Sequence, residues 1–315
     1  MSALIRTALL VLLAAVAGGC NSPQTADATA AAPKPAVVAP APASAAPDAS
    51  IMASVHALRA NNVAGLVANA LPPAALARFK ADWSKDMNDE PITDEERAKF
   101  SEQMTKLTAP GAEDRLFAEL EPQLKQFEQQ SAQQMPMLVA MGQGFVQSAV
   151  QQSKELTEEQ KKQAVALVDA TAKWAQTAKF TDPGLARQAI GVLCRTAREI
   201  NLKSLDEMRA MSYDQAMQKA GLVLASLKQV LQLYGLSLDN TLDSIKAQTV
   251  STSGDTAKVK ISYVAFGQPF STENELTRVG NGWYSKQALE EWNKAEQREA
   301  ADAAAPGDEA KATAK

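Results

Sequence analysis

YDQAMQKAGLVLASLKQVLQLY, residues 213–234, and TAKVKISYVAF, residues 256–266, decide the fold between them, because the hydrophobic period changes from one to the other. In the first, Tyr213, Met217, Ala220, Val223, Leu224, Leu227, Leu231 and Tyr234 recur at three- and four-residue steps, the apolar stripe of an amphipathic helix. In the second, Val259, Ile261, Tyr263 and Ala265 alternate with Lys258, Lys260 and Ser262, the period of a strand with one buried face. The chain before Gly235 reads like the first stretch, and most of the chain after it reads like the second. The expected class is mainly α, multi-helix and α+β overall, with a small C-terminal antiparallel β-meander and a closing helix.

Downstream, Ser253-Gly254-Asp255 and Gly280-Asn281-Gly282 have hairpin chemistry. Four strands are predicted, over Ser244–Ser251, Thr256–Phe266, Phe270–Val279 and Trp283–Ser285, then a helix from Lys286 to about Arg298. The tail from Glu299 to Lys315 is Ala-rich and charged without apolar periodicity, and reads as disordered. The run from Gly254 to Ile261, with Leu276-Thr277-Arg278-Val279 and Gly282-Trp283-Tyr284, resembles the closing strands of NTF2-like or lipoprotein-associated small sheet domains, over about 45 residues of generic hairpin chemistry.

Upstream, Ile51–Ala60 and Val63–Ala70 read as short helices, and Leu76, Phe79, Trp83 and Met87 share one face of a third. Thr93 with Glu96, and Thr157 with Gln160, have capping-box spacing. Asp182-Pro183 and Ser204–Glu207 give further helix starts. A helix from Glu113 to about Gln130 carries Leu116, Leu120, Leu124 and Phe127 and should kink or restart at Pro122. Helices over Thr157–Lys179 and Pro183–Ile200 come next, the latter with Leu185, Ala189, Leu193 and Ala197 on one side. Thr108-Ala109-Pro110-Gly111 is echoed by Thr181-Asp182-Pro183-Gly184 after a similar run, which allows either a duplicated helix–turn–helix unit or two ordinary Pro-Gly turns. Leu156-Thr157-Glu158-Glu159-Gln160 resembles the Leu-Thr-x-x-Gln motif of Spy-type periplasmic chaperones, which cradle unfolded clients. That family repeats the motif, and Ile92-Thr93-Asp94-Glu95-Glu96 departs from it at both ends.

Met135 to Val150 is the most apolar helical segment, with Met135, Met137, Leu138, Val139, Met141, Phe145 and Val146 around Gly142 and Gly144. It reads first as a buried central helix. Methionine also suits promiscuous surfaces, so Met135, Met137, Met141 and Phe145 are the candidate lining of an apolar groove against the sheet.

The first twenty residues supply an address. Arg6, an apolar run from Thr7 to Ala17, and Ala17-Gly18-Gly19 before Cys20 have the layout of a secretory signal. The run is too short for the roughly 20 residues a membrane span requires. A cysteine directly after the small residues resembles the lipobox of bacterial lipoproteins. That resemblance implies cleavage after residue 19 and acylation (palmitate among the chains) of Cys20. With Asn21 rather than Asp next, it also implies an outer-membrane location facing the periplasm. Residues 22–48 are Ala- and Pro-rich and read as an extended tether.

The expected layout is therefore a signal peptide over 1–19, a lipidated tether over 20–48, a helical domain over 49–240, a sheet with its helix over 241–298, and a tail. Removing Arg6 leaves 31 basic and 36 acidic residues, a net charge of −5, which argues against nucleic acid. With Cys20 acylated, Cys194 has no partner for an intramolecular disulfide, and beside Leu193 and four after Ile190 it reads as a buried thiol. His56 is the one histidine, so no multi-histidine metal site can form. No glycine-rich phosphate loop, Gly-x-Ser-x-Gly or Ser-x-x-Lys box occurs. Glu113, Asp114, Glu119 and Glu121 cluster at helix starts, where the dipole favours them. The expectation is a non-enzymatic binding or scaffolding lipoprotein without cofactor, meeting an envelope protein partner. The alternative is a carrier of lipid or another apolar small molecule.

Overall fold

The computed structural model describes residues 46–89, 91–153 and 156–304, with side chains at all of these except 130–136, 138 and 299–304. The stretch expected to be a signal peptide, Cys20 and nearly all of the expected tether lie outside the described residues. In chain order the elements are α1 (Pro47–Arg59), α2 (Val63–Ala70), α3 (Pro73–Met87), α4 (Asp94–Thr108), α5 (Ala112–Gln152), α6 (Glu158–Thr177), α7 (Pro183–Ile200), α8 (Leu205–Arg209), α9 (Tyr213–Leu233), α10 (Leu238–Ser244), β1 (Lys246–Ser253), β2 (Thr256–Ala265), β3 (Gln268–Val279), β4 (Gly282–Ser285) and α11 (Lys286–Ala304). The protein is mainly helical with a four-stranded antiparallel meander, order β1-β2-β3-β4, and a closing helix.

Local chemistry places the helix ends. Thr93, Thr157 and Ser212 each form a complete capping box with the Glu or Gln three residues on. Asp182 caps α7 through the Leu185 N–H, with Pro183 in the first turn. The two Pro-Gly turns differ: Gly111 stands before α5 at φ 68°, whereas Gly184 lies inside α7. A shared local geometry from duplication is therefore not seen at the turns. α1 opens at Pro47, two residues before the expected start of the helical domain at 49, and Thr249 Oγ1 donates to Asp48 Oδ1 at 3.1 Å, tying that start to β1. α10 was not expected from the sequence, and α11 runs past Arg298 to Ala304, into the stretch expected to be disordered.

α5 does not restart at Pro122. Pro122 is exposed, so its ring and the missing hydrogen bond lie on the solvent side, while Leu120 and Leu124 on either side of it pack against Ile190 and Cys194 of α7. Packing on both sides of the proline holds the helix together.

On the sheet, Ala257 pairs with Leu276, Val259 with Asn274 and Ile261 with Thr272. The β2–β3 turn is the two-residue Phe266-Gly267, at φ 52° and 71°. Positive φ at both positions is the hairpin geometry that matches strand twist, and Phe at the first is uncommon. Its ring packs beside Trp174, with centroids 6.4 Å apart. Val259, Ala257, Leu276 and Trp283 bury one half of the inner face against Ile51 of α1, and Phe270 and Ala265 bury the other end against Ala166, Leu167 and Ala170 of α6. A separate aromatic cluster, Phe79, Trp83, Tyr213 and Trp292, joins α3, α9 and α11 through edge-to-face contacts 5.6–5.9 Å between centroids.

The stripe read on α9 is buried only in part. Tyr213 is in the core, but Val223 and Leu227 are 52% and 50% exposed, while Ser226 and Lys228 are buried. Leu193 of α7 is likewise half exposed. α9 is contacted by helices on more than one side, so burial is set by its neighbours rather than by its most apolar face.

Candidate functional site

Two features outside the packed core stand out. The first is the C-terminal half of α5. Residues 129–152 contain no Asp, Glu, Lys or Arg, and at 1.5 Å per residue they extend about 36 Å. Gln143 and Gln147, one turn apart, both donate to Asp169 Oδ1 of α6, at 2.7 and 2.6 Å, and Val139 precedes them on the same half-buried face. At 100° per residue, Met137, Met141 and Phe145 point the opposite way. They are 65%, 61% and 76% exposed, and Val146 and Phe127 are also exposed. The helix thus turns Gln143 and Gln147 toward α6 and Met137, Met141 and Phe145 outward. Burial of this segment as a central helix is therefore overturned: the face toward α6 carries Gln143 and Gln147 on Asp169, and the face with Met137, Met141 and Phe145 is left to solvent. Gly142 and Gly144 have open space where a Cβ would stand, so the surface beside Met141 and Phe145 is shallow and unobstructed. For Met135 only the helical backbone is described.

The second feature is a cleft of about 330 Å³ between α6, α9, α10 and the inner face of β2 and β3. Leu156, Ala164 and Leu167 form one wall, Leu224 and Leu242 another, and Ile261, Tyr263, Thr272 and Asn274 the sheet side. A groove on the sheet was expected to be lined by the α5 methionines and Phe145; none of them reaches this cleft, because α6 lies between α5 and the sheet.

Lys228, 6% exposed, lies at the base of the cleft. Its ammonium donates to the carbonyl oxygens of Leu58, at 2.6 Å, and Arg59, at 3.2 Å, and pairs with Asp239 Oδ1 at 2.8 Å. The cation therefore sits on the C-terminal carbonyls of α1, where the helix dipole favours it. Arg59 closes the network, bonding Asp239 Oδ2 at 3.1 Å and Asp243 Oδ1 at 2.8 Å. Burial pushes the Lys228 ammonium below its usual range, with Asp239 pulling the other way. Lys219, nine residues earlier, caps α7 in the same manner through the Ile200 carbonyl.

The chemical candidates are placed apart from both features. Cys194 is fully buried among Ala112, Phe117, Ala186 and Ile190, and burial pushes its thiol up. His56 is exposed on α1. Glu113 makes a two-pronged pair with Arg198, at 2.6 and 2.9 Å, and Asp114 pairs with Arg187 at 2.5 Å, clamping the start of α5 to α7. Hydrogen bonds from Arg198 hold the Glu113 carboxyl at about 2. Among the described residues there is no group of three or more His, Cys, Asp or Glu able to hold a metal ion, and no single helix is long and apolar enough to cross a membrane. Sequence reasoning missed the cleft. Its legible signal was β3, whose inward positions run Phe270, Thr272, Asn274, Leu276, with two polar residues inside an apolar alternation. Comparison with protein-family models, with curated proteins and with solved structures finds no match to this chain.

Proposed function

We propose that this chain is a non-enzymatic binding or scaffolding protein, held on the periplasmic face of the outer membrane by lipid on Cys20, whose α5 stripe meets an apolar, uncharged segment of another envelope protein. The observation that carries this reading is the inverted polarity of α5, with Gln143 and Gln147 turned in and Met137, Met141 and Phe145 turned out. Covering those three side chains is worth roughly 3–6 kcal/mol at about two-thirds exposure, a gain a lone chain forgoes. Flexible methionines suit an irregular protein surface. A lipid surface is the weaker fit, because membrane-surface helices draw on Lys and Arg for anionic headgroups and residues 129–152 have none. The lipobox-like run ending at Cys20 supports the anchor, and a Cys20→Ser chain recovered from the soluble periplasmic fraction would bear it out.

The test is a photo-reactive side chain at position 141 of the full-length protein in its own envelope, with position 260 on the outer sheet face as control. The expected result is a discrete protein adduct specific to position 141 and lost in Phe145→Glu, a change at an exposed site that leaves the fold intact. Equal adducts from both positions, none at all, or adducts only to lipid or to the chain's own residues before Pro47 would overturn the reading.

A further inference from the structure

We infer that the cleft between α6, α9, α10 and the sheet is a binding site for an uncharged, medium-chain aliphatic molecule with one hydrogen-bonding head, an alcohol or primary amide. The site is independent of the α5 stripe.

The size argument comes first. At about 30 Å³ per water-sized group, 330 Å³ holds on the order of a dozen non-hydrogen atoms, at the lower end of small-molecule sites. The walls are aliphatic: Leu156, Ala164, Leu167, Leu224 and Ile261 face the space.

Charge excludes ions. Among the described residues, the one charged side chain lining the cleft is Lys228, and its three donors are already engaged by the carbonyls of Leu58 and Arg59 and by Asp239. Arg59 and Lys228 are balanced by Asp239 and Asp243. Among the described residues lining the cleft, a carboxylate entering here would lose its hydration with no free cation to receive it, and an ammonium would find no free carboxylate.

The polar groups that do face the space are neutral. Thr272 and Asn274 occupy inward positions of β3 between the buried Phe270 and Leu276, and neither side chain makes a hydrogen bond with another described residue. Across from them, Gln163 of α6 accepts the Ser271 N–H at 3.3 Å. A strand that needed only to pack would bury aliphatic residues at 272 and 274. A hydroxyl and a carboxamide there, beside an aliphatic wall, hold the head of a ligand whose chain lies along Ala164 and Leu167.

The experiment is calorimetric titration of the full-length protein with 1-decanol, and separately with decanoate, against wild type, Ala164→Trp and Asn274→Leu. Decanol should bind saturably at one site. Decanoate should bind at least tenfold more weakly. Ala164→Trp should abolish decanol binding, and Asn274→Leu should weaken it about tenfold while raising thermal stability, which separates a lost contact from a lost fold. Phe145→Glu should bind decanol normally, so failure of the partner reading leaves this result untouched. No saturable binding to wild type, binding unchanged in both cleft variants, or decanoate binding as tightly as decanol would each overturn the proposal.

Discussion

Replacing Tyr213 by Phe should stabilise the protein and remove part of its sensitivity to alkali. The Tyr213 ring is buried at the start of α9, edge-on to Phe79 and Trp83, with Lys80 Nζ 4.7 Å from its centroid. Its hydroxyl is buried without a hydrogen-bond partner, and burial, with Asp214 beside it, pushes the phenol up to about 12. Phe keeps the ring contacts and removes a hydroxyl whose unsatisfied burial costs about 1 kcal/mol or more, so near pH 8 the variant should be more stable by about that amount. The pH dependence has a definite sign. Below pH 10 the phenol is protonated in both the folded and the unfolded chain. Between about pH 10 and pH 12 the unfolded chain sheds its proton while the folded one keeps it, so the wild type loses stability as pH rises. At about 1.4 kcal/mol per unit, the loss is about 1.4 kcal/mol by pH 11 and roughly 2–3 kcal/mol by pH 12. Urea unfolding monitored by the fluorescence of Trp83 and Trp292, in the same cluster, should show a wild type–variant gap of about 1 kcal/mol at pH 8 widening to about 2.4 kcal/mol at pH 11. The other tyrosines raised by burial, Tyr234, Tyr263 and Tyr284, are common to both proteins and cancel in the difference. A gap that stays constant from pH 8 to pH 11, or a variant less stable than wild type at pH 8, would refute the reasoning.

Lys228→Met strands the Leu58 and Arg59 carbonyls and leaves Asp239, about one-third exposed, short of one cation; the expected cost is about 2–4 kcal/mol in chemical denaturation, with part recovered in the double variant Lys228→Met/Asp239→Asn. Gly221→Ala puts a Cβ 2.5 Å from the backbone oxygen of Asn61, itself held at φ 56°. The clash with backbone outweighs the roughly 1 kcal/mol gain in helix propensity, so a net loss of about 1–2 kcal/mol and a lower melting temperature are expected. In a Cys20→Ser chain, Cys194 should resist thiol reagents at pH 8 at a rate set by unfolding, given its full burial and raised thiol; fast labelling of the native protein would place it at the surface.

Features that depend on one segment were legible in the sequence. The capping boxes at Thr93 and Thr157, the Asp182-Pro183 start, and the strand alternation from Val259 to Ala265 are each decided within a few residues, by a side chain satisfying a nearby backbone group or by the period of the chain. The fold class rests on them. The Phe266-Gly267 turn carried no ordinary hairpin signal, because its Phe holds a positive φ beside the distant Trp174. Which face of a helix is buried depended on partners far along the chain. Asp169 turned Gln143 and Gln147 inward and left Met141 and Phe145 outside, against the apolar composition of the segment. The carbonyls of Leu58 and Arg59, some 170 residues before it, drew Lys228 into the interior. The cleft exists because α6 covers one end of the sheet's inner face and α1 the other, leaving Ile261, Thr272 and Asn274 between them. Periodicity ranks the faces of an element by their own hydrophobicity; only tertiary packing supplies the partners that reverse that ranking, and at Lys228 those partners also meet the cost of burying a charge.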